Sequence, residues 1–278
     1  MSVIVLTLII LIGAYFAGLL GSLTGLGGGF IIIPLLTLGL HVNIHYAIGA
    51  SLISVIATSS GSAAAYVKEG ITNIRIGMFL EIATTIGAIA GAMLALHIQT
   101  HYIAIIFGLI LAFSAVMSLI KKVQVISAEG SPAAAKLKLN GSYPTADGPV
   151  NYGVRNVGGG FLMMIFAGTI SGLLGIGSGA LKVVAMDTIM RIPFKVSTTT
   201  SNFMIGVTAA ASAVVYLQRG YIAPDVCMPV VIGVLLGALS GSKILVHTKS
   251  SGWLRWVFTI VVGVLAFQMI YNGITGKI

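Results

Sequence analysis

Gly21-Ser22-Leu23-Thr24-Gly25-Leu26-Gly27-Gly28-Gly29 interrupts an apolar run that opens at Val3 and resumes at Phe30. The stretch cannot be a regular helix. Each Gly costs about 0.8–1.0 kcal/mol relative to Ala in a helix interior, and Gly stands at positions 21, 25, 27, 28 and 29. A second cluster, Gly172 followed by Gly175-Ile176-Gly177-Ser178-Gly179, breaks another apolar run farther along. The two clusters overlay at a constant offset of 150 residues. The same ungapped register pairs Phe16-Ala17-Gly18 with Phe166-Ala167-Gly168, Ser51 with Ser201, Tyr66 with Tyr216 and Gly70 with Gly220. It also pairs Gly87 with Gly237, Gly91 with Gly241 and His97 with His247. Chance would match Leu, Ile and Ala between apolar sequences, but hardly so many rarer residues in one register. The chain reads as a duplication.

Composition says what surrounds it. Of 278 residues, 57% are hydrophobic and 8% charged, and the mean hydropathy is +1.07. Soluble domains carry roughly 25% charged residues, because a water-facing surface needs them. Fifteen Lys and Arg with six Asp and Glu cannot clothe a soluble fold of this length; the solvent for most of the surface is lipid. Thirty-six Gly agree with this, since small residues let helices approach closely in a membrane. The net charge of +9 does not indicate a nucleic-acid partner, because the basic residues form no stripe with interleaved aromatics. Cys227 is the single cysteine, which excludes an intramolecular disulfide. Met1 to Ile12 is apolar with no Lys or Arg before it. It lacks the basic region of a signal peptide and reads as the first span.

The pattern predicts an all-α polytopic membrane protein of ten segments. They run roughly over 3–22, 27–40, 46–67, 75–97 and 102–120 in an N-terminal repeat spanning 1–120, and over 157–174, 177–190, 196–217, 226–246 and 253–273 in a C-terminal repeat spanning 157–278. Most approach the roughly 20 residues needed to cross the hydrocarbon core. The second of each repeat is short, about 14 residues or roughly 21 Å, and follows a glycine cluster. Between the repeats, 121–156 is polar, with Pro132, Pro144 and Pro149. If every segment crosses, one side holds Lys68, Arg75, Lys121, Lys122, Lys136, Lys138, Arg155, Arg191, Lys195, Lys243, Lys249 and Arg255, and the other holds Arg219 and Lys277. If the short segments re-enter instead, the split is 9 against 5. The positive-inside rule prefers five spans per repeat. An odd number inverts the second repeat. Both termini then lie outside, the 121–156 loop is cytoplasmic, and the architecture is one that transporters use.

Non-helical backbone at membrane depth is tolerated where it is buried in protein or lines a wet cavity. Each break opens a short helix whose first amides carry the positive end of the dipole. Two such ends converging near the midplane make an anion site without a formal charge. The candidates are Gly25, Gly27, Gly28 and Gly29 in the first turn and Gly175, Gly177 and Gly179 in the second. Ser22, Thr24 and Ser178 are hydroxyl donors that could equally cap their own helices. The other reading of the glycines is close helix packing with no ligand. Lys182 has no counterpart in the first repeat, which places Ile32 there. It lies nine residues before Arg191, about 14 Å from the cytoplasmic end. A lysine at that depth is costly and often functional, although neutralising a structural carboxylate or snorkelling explains it too. Ser197-Thr198-Thr199-Thr200-Ser201-Asn202 opens the eighth segment. Ser201 and Asn202, with Ser51 from the other repeat, either line an anion route or bond to backbone carbonyls. Glu81 is left outside the site, because snorkelling accounts for it as well as pairing or proton carriage does. Asp187 stands four residues before Arg191, and a local ion pair accounts for it.

Gly25-Leu26-Gly27-Gly28-Gly29, the apolar run to Pro34, Gly49-Ala50-Ser51-Leu52 and the second copies from Gly175 and Thr199 resemble the sulfite exporter TauE/SafE family of anion permeases. The resemblance covers nearly all of the chain apart from the central loop. It implies transport, commonly export, of sulfite or organosulfonates across the cell membrane. Ser178 in place of a Gly and Asn202 after Ser201 depart from the fuller pattern. The expectation is an alternating-access carrier whose partners are a small anion and the bilayer, with proton coupling and oligomeric state open. No cofactor, metal or catalytic residue is expected. An anion channel is the alternative. An intramembrane metalloprotease would want His-Glu-x-x-His, which the sequence lacks.

Overall fold

Among the described residues a helix lies on each of the ten apolar stretches and, counting the π turns that continue the two short ones, its ends fall within two residues of the expected bounds. The computed structural model describes residues 3–24, 28–68, 70–119, 130–145, 148–247 and 252–278. In order they form α1 (Val3–Thr24), α2 (Gly29–Pro34), α3 (Ile44–Lys68), α4 (Ile74–Ala95), α5 (Thr100–Leu119), α6 (Pro132–Lys136), β1 (Gly141–Thr145), β2 (Gly148–Tyr152), α7 (Val157–Leu174), α8 (Gly179–Val184), α9 (Phe194–Gln218), α10 (Pro224–His247) and α11 (Gly252–Ile274). Among the described residues, six helices are long and apolar enough to cross a membrane: α1, α4, α5, α7, α9 and α10. The outward surface is apolar, with Ile4, Leu162, Leu239 and Phe267 each more than half exposed. In water such a surface would be an aggregation hazard. In lipid it is the expected one.

The offset of 150 residues recurs in the backbone. α1 and α7 end at Thr24 and Leu174, α2 and α8 begin at Gly29 and Gly179, and α3 and α9 share both ends in that register. Both short helices continue as a π-helical turn, over Leu35–Gly39 and Ala185–Ile189. Both turns close through matching bonds, Val42 N–H to the Leu36 carbonyl and Ile192 N–H to the Met186 carbonyl, each 2.9 Å. His41 and Arg191 follow with positive φ. Pro34 stands before the first π turn and Val184 before the second, so proline is not what makes them.

Glycine decides the long-helix packing. α1 lies against α10, α4 against α7, α5 against α11 and α3 against α9. A Cβ on Gly168 or Gly172 of α7 would strike the Thr84 or Ala88 carbonyl of α4, and one on Gly87 or Gly91 would strike Ile165 or Thr169 of α7. Gly18, Gly233 and Gly237 lock α1 and α10 in the same way. The duplicated glycines are therefore contact points, and each lock joins one sequence half to the other.

The central segment differs from the loop expected. Ser131 caps α6, and β1 pairs antiparallel with β2 from Gly141↔Tyr152 to Thr145↔Gly148. Its Ala134, Leu139, Tyr152 and Val154 pack in one cluster with Ile76 and Leu80 of α4 and with Met186, Met190 and Ile192. Apolar residues spaced through the polar stretch give it something to bury.

Candidate functional site

The second glycine break is a left-handed turn held from both halves. α7 stops at Gly175, φ 67°, whose N–H bonds to the Ser171 carbonyl. Gly177 follows at φ 71° and Ser178 at φ 45°. A non-glycine residue in this region carries a cost of about 1–2 kcal/mol. Ser51 of α3 donates to the Gly175 carbonyl at 2.8 Å, and Ser201 of α9 donates to the Gly179 carbonyl at 3.3 Å. Ile205 of α9 fills the space beside the turn, 2.7 Å from where a Cβ on Gly177 or Gly179 would sit. Ser51 and Ser201 therefore fix the turn through its carbonyls in this conformation. Asn202 is buried beside Ser201.

The first break packs onto the second. A Cβ on Gly29 would meet Ser51, Val55 and, at 3.4 Å, the Gly175 carbonyl. Gly28 holds an ordinary right-handed φ of −76° where its counterpart Ser178 is left-handed. Gly25 and Gly27, and the side chains of Ser22 and Thr24, lie outside the described residues. Neither short helix has a side-chain cap. A cavity of about 20 Å³ remains where Phe30, Leu111, Ile176, Ser178 and Val262 meet, room for about one water. The Ser178 hydroxyl is buried and has no hydrogen-bond partner among the described residues. Among the described residues this small cavity lies beside the second turn.

Lys182 lies one turn into α8 and is 0% exposed. Its Nζ donates to Thr208 Oγ1 at 2.5 Å, and Thr208 Oγ1 donates to Glu81 Oε1 at 2.7 Å. Ser201, Ile205 and Thr208 stand at i, i+4 and i+7 on α9, so one helix face holds both the glycine turn and the lysine. The buried ammonium is balanced by a carboxylate on α4 through one hydroxyl.

Over residues 10–269 the sequence matches the pattern of the sulfite exporter TauE/SafE family. The chain belongs to this family. The "Probable membrane transporter protein YunE" of Bacillus subtilis (strain 168) is 29% identical over 285 residues, 99% of each chain. A second transporter of that organism, the "Probable membrane transporter protein YdhB", is 25% identical over 236 residues, 85% of this chain and 89% of its own. The "Probable membrane transporter protein MJ0441" of Methanocaldococcus jannaschii is 23% identical over 284 residues, 96% of each. No solved structure matches. The family and the names of these relatives are those of membrane transporters.

Glu81 is the residue that sequence reasoning left outside the site of this TauE/SafE chain. It is 8% exposed, Thr85 also donates to its Oε1 at 3.3 Å, and its Oε2 has no partner among the described residues. A signal existed. The repeat register puts Val231 opposite Glu81 just as it puts Ile32 opposite Lys182, so the repeat leaves both of these opposite charges unmatched. The hydroxyls that open α9 resolve toward backbone bonding: Ser197 donates to the Ile192 carbonyl, Thr198 to Phe194 and Thr199 to Lys195. Thr200 accepts from the Asn73 N–H at 3.1 Å. Asn73 also donates to the Tyr152 hydroxyl at 2.8 Å and to the Leu139 carbonyl. This ties the central segment, the start of α4 and α9 together below the site. Burial raises the Tyr152 hydroxyl above its ordinary pKa, against the Asn73 hydrogen bond, which lowers it.

Proposed function

We propose that this chain is a secondary transporter that exports small sulfur-containing anions, such as sulfite or organosulfonates, by alternating access around the two glycine breaks. The observation that carries the reading is Lys182, a fully buried ammonium beside the second break. Near a helix N-terminus an ammonium adds to a positive potential, so the place suits an anion once the carboxylate that balances it is displaced. Ser178, with an unused hydroxyl at the cavity, is the nearest further donor. The Gly28, Gly29, Gly175, Gly177 and Gly179 backbone shapes the pocket, with Ser51, Ser201 and Asn202 behind it.

The same proposal takes the two halves, 1–120 and 157–278, as inverted repeats of five spans each. Exchanging the halves maps the α1–α10 pair onto α7–α4 and returns α3–α9 and α5–α11 to themselves, as a two-fold axis between repeats requires. The basic residues put the 121–156 loop in the cytoplasm and both termini outside. Because the glycine locks join the halves crosswise, the bodies that rock are the α1–α10 and α4–α7 pairs, not the sequence halves. About 20 Å³ is left beside the turn, too little for an anion of four heavy atoms. Opening one pair admits it.

Purified protein in liposomes, offered sulfite, sulfate, methanesulfonate and 2-aminoethanesulfonate, tests the reading. The expected result is saturable flux of the sulfur anions that is accelerated by the same anion on the far side. Flux of none of them, or unitary currents in a planar bilayer, contradicts it.

A further inference from the structure

We infer that Glu81 is the proton site of this carrier, and that Lys182 and Thr208 link its proton to the anion so that the two cross together, outward wherever the anion gradient exceeds the opposing proton gradient. This rests on the anion reading above and names its coupling ion. The geometry is a line of three groups: Lys182 Nζ to Thr208 Oγ1, then Thr208 Oγ1 to Glu81 Oε1. Lys182 has one negative partner through that line. An anion that takes the ammonium removes the charge that balances Glu81. A buried carboxylate without a cation neutralises by binding a proton. Its Oε2, unpartnered among the described residues, is the oxygen free to hold that proton. Binding is then the sum of two steps: the anion pairs with Lys182, and one water-derived proton adds to the Glu81 carboxylate to give the acid. Release on the far side reverses both and restores the Lys182–Thr208–Glu81 line.

Other groups around Glu81 do not offer the same link. α4 packs against α7 and α9, and α7 carries no titratable residue. On α9, Lys195 is exposed near the helix start, and the Tyr216 hydroxyl donates to the Gly172 and Leu173 carbonyls. On α4 itself Arg75 is exposed. Asp187 stands on the π turn five residues beyond Lys182. Tyr152 of the central segment is bonded to Asn73 at the start of α4. Lys182 is the group joined to Glu81.

The test uses purified full-length protein in liposomes, radiolabelled sulfite, and a membrane potential clamped at zero with potassium and valinomycin. Uptake by protein-free liposomes is subtracted. With the outside acidic, wild type accumulates sulfite about tenfold per pH unit, the ratio for one proton per anion. Glu81→Gln removes the ionisable group, so accumulation driven by the pH gradient disappears, and its melting temperature in detergent checks that the variant is folded. Glu81→Asp keeps the driven accumulation. A Glu81→Gln protein that accumulates sulfite like wild type overturns the inference. So does wild type whose accumulation ignores the gradient, a result that needs no variant to fold. Absence of sulfite exchange in wild type is a different failure, and removes the anion reading itself.

Discussion

The repeat register sets Ile32, Thr58 and Val231 opposite Lys182, Thr208 and Glu81, and the structure joins the second trio by hydrogen bonds. The scaffold is the same. Ile32 and Lys182 are both 0% exposed. Each threonine hydroxyl stands within hydrogen-bond distance of the carbonyl four residues before it, Thr58 from Ser54 at 3.0 Å and Thr208 from Met204 at 2.9 Å, although the one Thr208 proton is shared between that carbonyl and the shorter bond to Glu81. Only the second threonine also joins two charges. Replacing a buried ion pair with apolar residues of similar volume is often neutral or stabilising by about 1–4 kcal/mol, and the first half is the apolar version already made. Folding therefore gives no reason to keep the pair. The difference teaches that symmetry builds the frame and its violation marks the chemistry.

Breaking the pair on one side should have the largest effect. Lys182→Ile copies the first half by one residue and leaves Glu81 buried without its cation, a cost of about 3–5 kcal/mol. Sulfite transport should fall at least about 100-fold while membrane insertion persists, and the melting temperature in detergent should drop. Adding Glu81→Val completes the copy and should restore the melting temperature. Continued destabilisation of the double variant would show that the charges serve the fold.

A smaller effect sharpens the comparison. Thr208→Val removes the hydroxyl between the charges and should slow transport about tenfold and cost about 1.5–3 kcal/mol of stability, whereas Thr58→Val should change transport less than about twofold and cost about 1 kcal/mol or less. Equal losses from the two would erase the asymmetry. The smallest effect is at the turn. Ser178→Gly matches Gly28 and relieves the left-handed backbone, so stability should rise by about 1 kcal/mol. The apparent sulfite affinity should fall by a few-fold as a donor is lost. Thermal melts and flux titrations on one preparation check both directions.

The helices and their register were legible because lipid leaves no ambiguity about which residues face it, and because glycine clusters mark where a helix must stop. Lys182 is buried, and pairing with Glu81 was one of the readings its sequence left open. The hydroxyl between them was not legible, since α4 and α9 meet across 127 residues between Glu81 and Thr208, and nothing local announces that contact. Taken alone, Glu81 looked like a carboxylate near the interface; taken with Val231, it was a second unmatched charge. Ser51 and Ser201 hold the carbonyls of the turn, one of the two readings that their sequence left open. The hairpin in the central segment was obscured by Pro144 and Pro149, because prolines usually argue against a strand. Why both short helices relax into π turns has no counterpart in the sequence beyond the repeat itself.

Sulfite exchange by the Lys182→Ile, Glu81→Val double variant, beside wild type, tests the central claim most directly. The variant removes both charges together, so a folded protein with the helix scaffold of the first half is the expected material, confirmed by its melting temperature. The account predicts that this folded protein shows no saturable sulfite exchange. Exchange at the wild-type rate and apparent affinity would contradict it and place the anion away from Lys182.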